Sequence, residues 1–161
     1  MAASEYVRPA SARGGSLVRS LLVEAFLLLL LLVVVLGPRF LEGRTALAWT
    51  RYHAAQGAAA KRPGVHVRQA AHWAAQALDS LAPLPDAAEA ARVALGLGQA
   101  VEARDRAAAL TLYTEVRAAL ERLRGSRWRG WGLAGLAAEA GRLAEAAREP
   151  EKEEEDREGG R

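Results

Sequence analysis

Hydrophobic and polar positions fall into two regimes along this chain. The first is a block. Leu21–Leu36 reads LLVEAFLLLLLLVVVL, every residue from Ala25 to Leu36 is apolar, and Glu24 is the only charge in the run. A bilayer core needs about 20 apolar residues, with about 17 as a lower limit. Leu17 and Val18 extend the run and Gly37 closes it. The block predicts one transmembrane helix over 17–37, ended by Gly37-Pro38, because proline disfavours helical geometry in the residue before it.

The second regime is periodic. Leu47, Ala54 and Ala58 share one face of a weakly patterned helix over 44–60, and Lys61-Arg62-Pro63-Gly64 breaks it. Val67, Ala70, Ala71, Ala74, Leu78 and Leu81 recur at helical spacing, and Ala82-Pro83-Leu84-Pro85 stops that helix. Asp86 and Glu89, three residues apart, look like a capping box opening the next helix, whose buried face is Ala90, Val93, Leu97 and Val101. Gly96 and Gly98 inside it each cost up to about 1 kcal/mol against alanine, so a neighbouring helix is expected to approach closely there. The clearest pattern follows in Ala109, Leu112, Tyr113, Val116, Leu120 and Leu123, up to Gly125-Ser126. A last helix, Trp128–Arg148, carries Leu133, Leu136, Ala140, Leu143 and Ala147. Four segments are thus expected: a basic tail over 1–16, the span over 17–37, a helical domain over 44–148, and an acidic, disordered tail over 149–161.

Leu95–Val116, LGLGQAVEARDRAAALTLYTEV, resembles one tetratricopeptide repeat. Leu95-Gly96 or Leu97-Gly98 takes the Leu-Gly of the family's first helix, Asp105 the acidic turn, and Ala109, Tyr113 and Val116 the Ala-x3-aromatic-x2-small of its second. From Leu95-Gly96 to Ala109 the spacing is one residue too long, and from Leu97-Gly98 one too short. Ala70, Ala74, Ala77 and Leu78 echo the second helix without its aromatic. The resemblance covers about half the chain. It implies an all-α fold of a transmembrane helix followed by about five antiparallel helices in TPR-like hairpins, binding peptides or partner proteins on a concave face.

Composition agrees, since alanine, the best helix former, dominates from residue 54 onward. The net charge of +3 divides into −4 over residues 149–161 and +7 elsewhere. Cysteine is absent, which removes disulfides, thiolate ligands, cysteine nucleophiles and lipidation at cysteine. Arg8, Arg13 and Arg19 precede the apolar block as in an export signal, but the nearest small-x-small site, Ala46-Leu47-Ala48, lies ten residues beyond Leu36 and past Arg39, Glu42 and Arg44. An uncleaved anchor is therefore expected. The positive-inside balance is close, and the short basic tail favours a cytoplasmic N-terminus with the domain on the opposite side.

Candidate chemistry is sparse. His53, His66 and His72 have no metal-ligand spacing, no serine sits in a nucleophile context, and no glycine-rich phosphate loop is present. Neither an enzyme, a cofactor, a metal, a small-molecule substrate nor nucleic acid is expected. The most distinctive cluster is Arg124, Arg127, Trp128, Arg129 and Trp131, where arginines beside tryptophans suit lipid headgroups or cation–π contact. With Tyr113, these residues are the expected contacts for a protein partner or lipid. The expected function is a membrane-anchored interaction or assembly module touching the bilayer and a protein partner. The alternatives are a small structural subunit held in a complex through its span, and a secreted helical domain released by cleavage.

Overall fold

The computed structural model describes residues 14–82, 84–125 and 132–159. Among them the chain is all helical: α1 (Gly14–Ala59), α2 (Gly64–Leu81), α3 (Pro85–Glu102), α4 (Arg106–Arg124) and α5 (Ala134–Gly159). Contacts divide it into two units, one up to Pro38 and one from Arg39 onward.

The first unit holds the apolar block. Its large hydrophobic side chains are 49–67% exposed from Val18 to Leu36, and none of the apolar window is buried. Among the described residues, α1 is the only helix long and apolar enough to cross a membrane, a test that a signal sequence or the core helix of a soluble protein also passes. The Ser20 hydroxyl donates to Glu24 Oε1 at 3.4 Å, giving the lone acid of the block a polar neighbour one turn away.

The expected helix end at Gly37-Pro38 is not found: Pro38 lies inside α1. Proline in a helix interior forfeits one hydrogen bond and crowds the preceding turn, a cost of about 3 kcal/mol or more, and either kinks or ends the helix. The helix continues on both sides of it, from Gly14 to Ala59. At the other end of the chain α5 extends through residues 151–159. Glutamate, lysine and arginine are good helix formers, and a helix already nucleated extends at little cost.

In the second unit α2 lies beside α3 and α4, and α5 packs on α4 with a smaller contact on α3. The periodic positions supply the core: Val67, Ala70, Ala74, Leu78, Leu81, Ala90, Val101, Ala109, Leu112, Val116 and Leu120 are all buried. The face that α1 turns inward is Gly43, Ala46, Leu47, Thr50 and Gly57, with Ala54 half-buried. Ala58, expected on that face, is exposed, because the real stripe follows residues 43, 47, 50, 54 and 57. Glycine at 43 and 57 permits the close fit. A Cβ on Gly43 would sit 2.7 Å from Leu81 Cδ2, and one on Gly57 3.0 Å from Leu97 Cδ1. Thr50, the one buried polar residue among the described residues, is satisfied by donating to the Ala46 carbonyl at 2.9 Å.

The expected capping box at α3 does not form. Leu84 is the N-cap, no side chain caps it, and Pro85 opens the helix, where its missing N–H costs nothing. Asp86 and Glu89 instead bind across to α1: Arg44 donates to Asp86, and Arg51 to Glu89 Oε1, its Nε at 3.1 Å. A true cap opens α4, where Asp105 Oδ1 accepts from the Ala108 N–H at 3.0 Å. At the far end of α1, Arg104, in the turn after α3, donates to the carbonyls of Ala58 (2.8 Å) and Ala60 (3.2 Å), and also to that of Ala100 in α3 (3.2 Å).

Candidate functional site

Six residues are expected from sequence to make partner or lipid contacts, and two of them, Tyr113 and Arg124, lie among the described residues. Tyr113 does not lie on the surface. It is fully buried between α3 and α4, and its ring packs against Gly98. Its hydroxyl donates to Glu102 Oε2 at 3.0 Å. Burial, then the bond to the Glu102 carboxylate and its charge, raise the phenol well above its ordinary value, so it stays protonated and remains a donor. The apolar period that placed Tyr113 on the inner stripe was the decisive signal; its aromatic character is used for packing. Arg124 is exposed at the end of α4, on the rim of a shallow groove between α4 and α5 with Arg117, Glu121, Arg142 and Glu145. Within that groove Arg117 Nε donates to Glu121 Oε1 at 2.8 Å, one turn along α4. Arg127, Trp128, Arg129 and Trp131 lie outside the described residues.

The cluster the structure does assemble is elsewhere, on α1 and α2. Trp49 stacks on Trp73 with ring centroids 6.1 Å apart, and on His53 at 5.8 Å. Tyr52 meets Trp49 edge-on at 5.6 Å, and His72 meets Trp73 edge-on at 5.2 Å. His53 and His66 approach through their Nδ1 atoms at 3.3 Å, one ring donating and the other accepting. Thirteen residues and the Lys61-Arg62-Pro63-Gly64 turn separate those two histidines, so no i,i+3 or i,i+4 signal announced them. Trp49 and Tyr52 are legible as an aromatic pair near the inner face of their helix; their stacking on α2 is not.

Chemically the cluster is an aromatic platform. Its aromatic faces offer apolar contact, with Trp49 44% and Tyr52 50% exposed. No group of three or more His, Cys, Asp or Glu side chains able to hold a metal occurs among the described residues. Beside it, a groove lined by Arg39, Glu42, His72, Gln76, Asp79 and Ser80 is polar, and Gln76 closes one wall by donating to Glu42 at 2.7 Å.

Burial, followed by the neighbouring His66, lowers His53 below its ordinary imidazole value. A base lowered in the fold binds its proton more readily when unfolded, so stability is complete above the ordinary value near 6.5 and falls as pH drops through it. Thermal unfolding of the chain is expected at a lower temperature at pH 5.5 than at pH 8. His53→Gln should flatten that difference, and an unchanged pH dependence in this variant would show that other groups carry it.

No family model, curated protein or solved structure matches this chain.

Proposed function

We propose that the chain is a membrane-anchored helical module that binds a protein partner and performs no catalysis. The observation that carries the reading is the apolar run of α1, whose side chains find no cover within the chain from Val18 to Leu36. An apolar surface of that length is stable in lipid and costly in water at about 25 cal/mol per Å². The basic N-terminal tail remains on the cytoplasmic side and the helical domain on the other.

The domain is read as two tetratricopeptide-like hairpins, α1–α2 and α3–α4, with α5 as the closing helix. Support comes from packing: α2 lies beside α4 and α3 beside α5, the neighbour relations of stacked hairpins. Gly98 takes the small position facing the aromatic Tyr113, and Ala109 and Val116 fill the two turns around it. Of the two possible alignments, this favours Leu97-Gly98 as the Leu-Gly pair; Gly96 meets no neighbour.

An anchor exchange tests the module. The domain from Arg44, placed behind an unrelated single-pass anchor, should recover the same cross-linked partner from membranes as the native chain. Loss of the partner in that chimera would assign binding to the span and make the chain a subunit held through its transmembrane helix.

A further inference from the structure

The part of α1 that follows Pro38 is apolar on two opposite faces. One is buried against α2 and α3 through Gly43, Ala46, Leu47 and Thr50. The other, residues 41, 45, 48, 52, 55 and 59, is exposed throughout and contains no charge. Its spacing alternates four and three, the a/d rhythm of a coiled coil, with Leu41, Ala48 and Ala55 at d and Thr45, Tyr52 and Ala59 at a. A helix with a second, unpartnered apolar stripe calls for a second helix.

We propose that this stripe pairs with the same stripe of a second copy, in parallel and in register. The flanking residues select the occupant and its direction. Arg44 and Arg51 stand at g, held by Asp86 and Glu89, while Trp49 and Gln56 stand at e. In a parallel pair g meets e of the next heptad, so Arg44 comes over the ring of Trp49 and Arg51 meets Gln56, one cation–π contact and one hydrogen-bonding pair. An antiparallel pair would set g against g, arginine facing arginine. Parallel is also the one direction open to two copies inserted alike in a bilayer; that part rests on the membrane anchor proposed above.

The exposed fractions of Leu41, Trp49 and Tyr52, with Phe40 at the edge, leave on the order of 400 Å² of apolar surface per copy. A pair buries on the order of 800 Å², short of the about 1,200 Å² of a stable complex in solution. The pairing is therefore weak for free molecules and relies on confinement to a membrane, which raises the effective concentration.

The absence of native cysteine makes the test direct. Ala48→Cys, Ala55→Cys and, on the exposed side of α3, Gln99→Cys are each introduced into the full chain and reconstituted in phosphatidylcholine–phosphatidylglycerol vesicles. After mild oxidation the first two should yield covalent dimers severalfold more than Gln99→Cys, and adding Tyr52→Glu should abolish the excess without changing the unfolding temperature. Vesicles that carry the chain on flotation but show no excess dimer overturn the pairing and leave the anchor standing. Quenching of fluorescence by brominated lipid that disappears in Trp49→Phe would assign the face to lipid and overturn it equally. A chain that fails to float yet cross-links at both sites overturns the anchor and retains the pair, and failure of both overturns both.

Discussion

Gly98→Val should unfold most of the domain at temperatures where the native chain is folded. A Cβ at position 98 collides with Cε1 of Tyr113 and stands 2.8 Å from Cζ. The ring has nowhere to go: it is fully buried, and its hydroxyl is tied to Glu102. Replacing glycine inside a helix ordinarily gains up to about 1 kcal/mol. Overpacking a closed core costs about 1–3 kcal/mol and more where the backbone must part, and a β-branched residue stands at the upper end. A net loss of at least about 2 kcal/mol lowers the midpoint by roughly 8 °C or more for a domain of this size. Gly96 supplies the control. Open space surrounds its missing Cβ, so Gly96→Ala should raise the midpoint by a few degrees. Tyr113→Ala removes the obstacle but leaves a cavity, at a cost of about 3–5 kcal/mol. If the two sites meet as described, Gly98→Ala with Tyr113→Leu should cost less than the sum of the single changes. Strict additivity, measured by denaturant titration, would contradict the contact.

Two positive charges placed mid-block should have the largest effect on where the chain resides. Leu27 and Leu31 are 55% and 59% exposed, so changing them removes no packing within the chain. Each arginine at the centre of a membrane helix opposes insertion by about 2.5–3.5 kcal/mol, and each lost leucine withdraws a further few tenths. Leu27→Arg with Leu31→Arg therefore opposes insertion by roughly 6 kcal/mol, enough to move most of the chain out of the bilayer. The native chain should remain with membranes after alkaline carbonate washing, and the double variant should be released. The domain's unfolding midpoint should be the same in both. A native chain released by carbonate would remove the basis for the anchor.

What was legible in the sequence follows from how local each signal is. The inner stripes of α2 and α4 depend on residues three and four apart, and every one of the apolar positions they named is buried, Tyr113 among them. The apolar block was plain because its signal is composition over consecutive residues. Harder were features in which distant segments compete for one side chain. Asp86 has the spacing of a cap, yet Arg44, 42 residues earlier, takes its carboxylate. His53 and His66 meet only because a turn folds α2 back on α1. Tyr113 was legible twice, as a core position and as an aromatic contact, and burial decides between the two. Pro38 misled because proline acts on local geometry, whereas helix continuation depends on what both flanks gain.

Arg104 holds the carbonyls at the end of α1 from the turn between α3 and α4, and its consequence is directional. Exposed carboxylate pairs such as Arg44–Asp86 weaken as salt is added, whereas a guanidinium set among helix-terminal carbonyls works over hydrogen-bond distance against groups that cannot titrate. Rising ionic strength therefore loosens the moorings at Arg44 and Arg51 first and the mooring at Ala58 and Ala60 last. Fraying of this edge of the domain runs from residue 44 toward residue 60, and amide exchange should trace the same sequence of release.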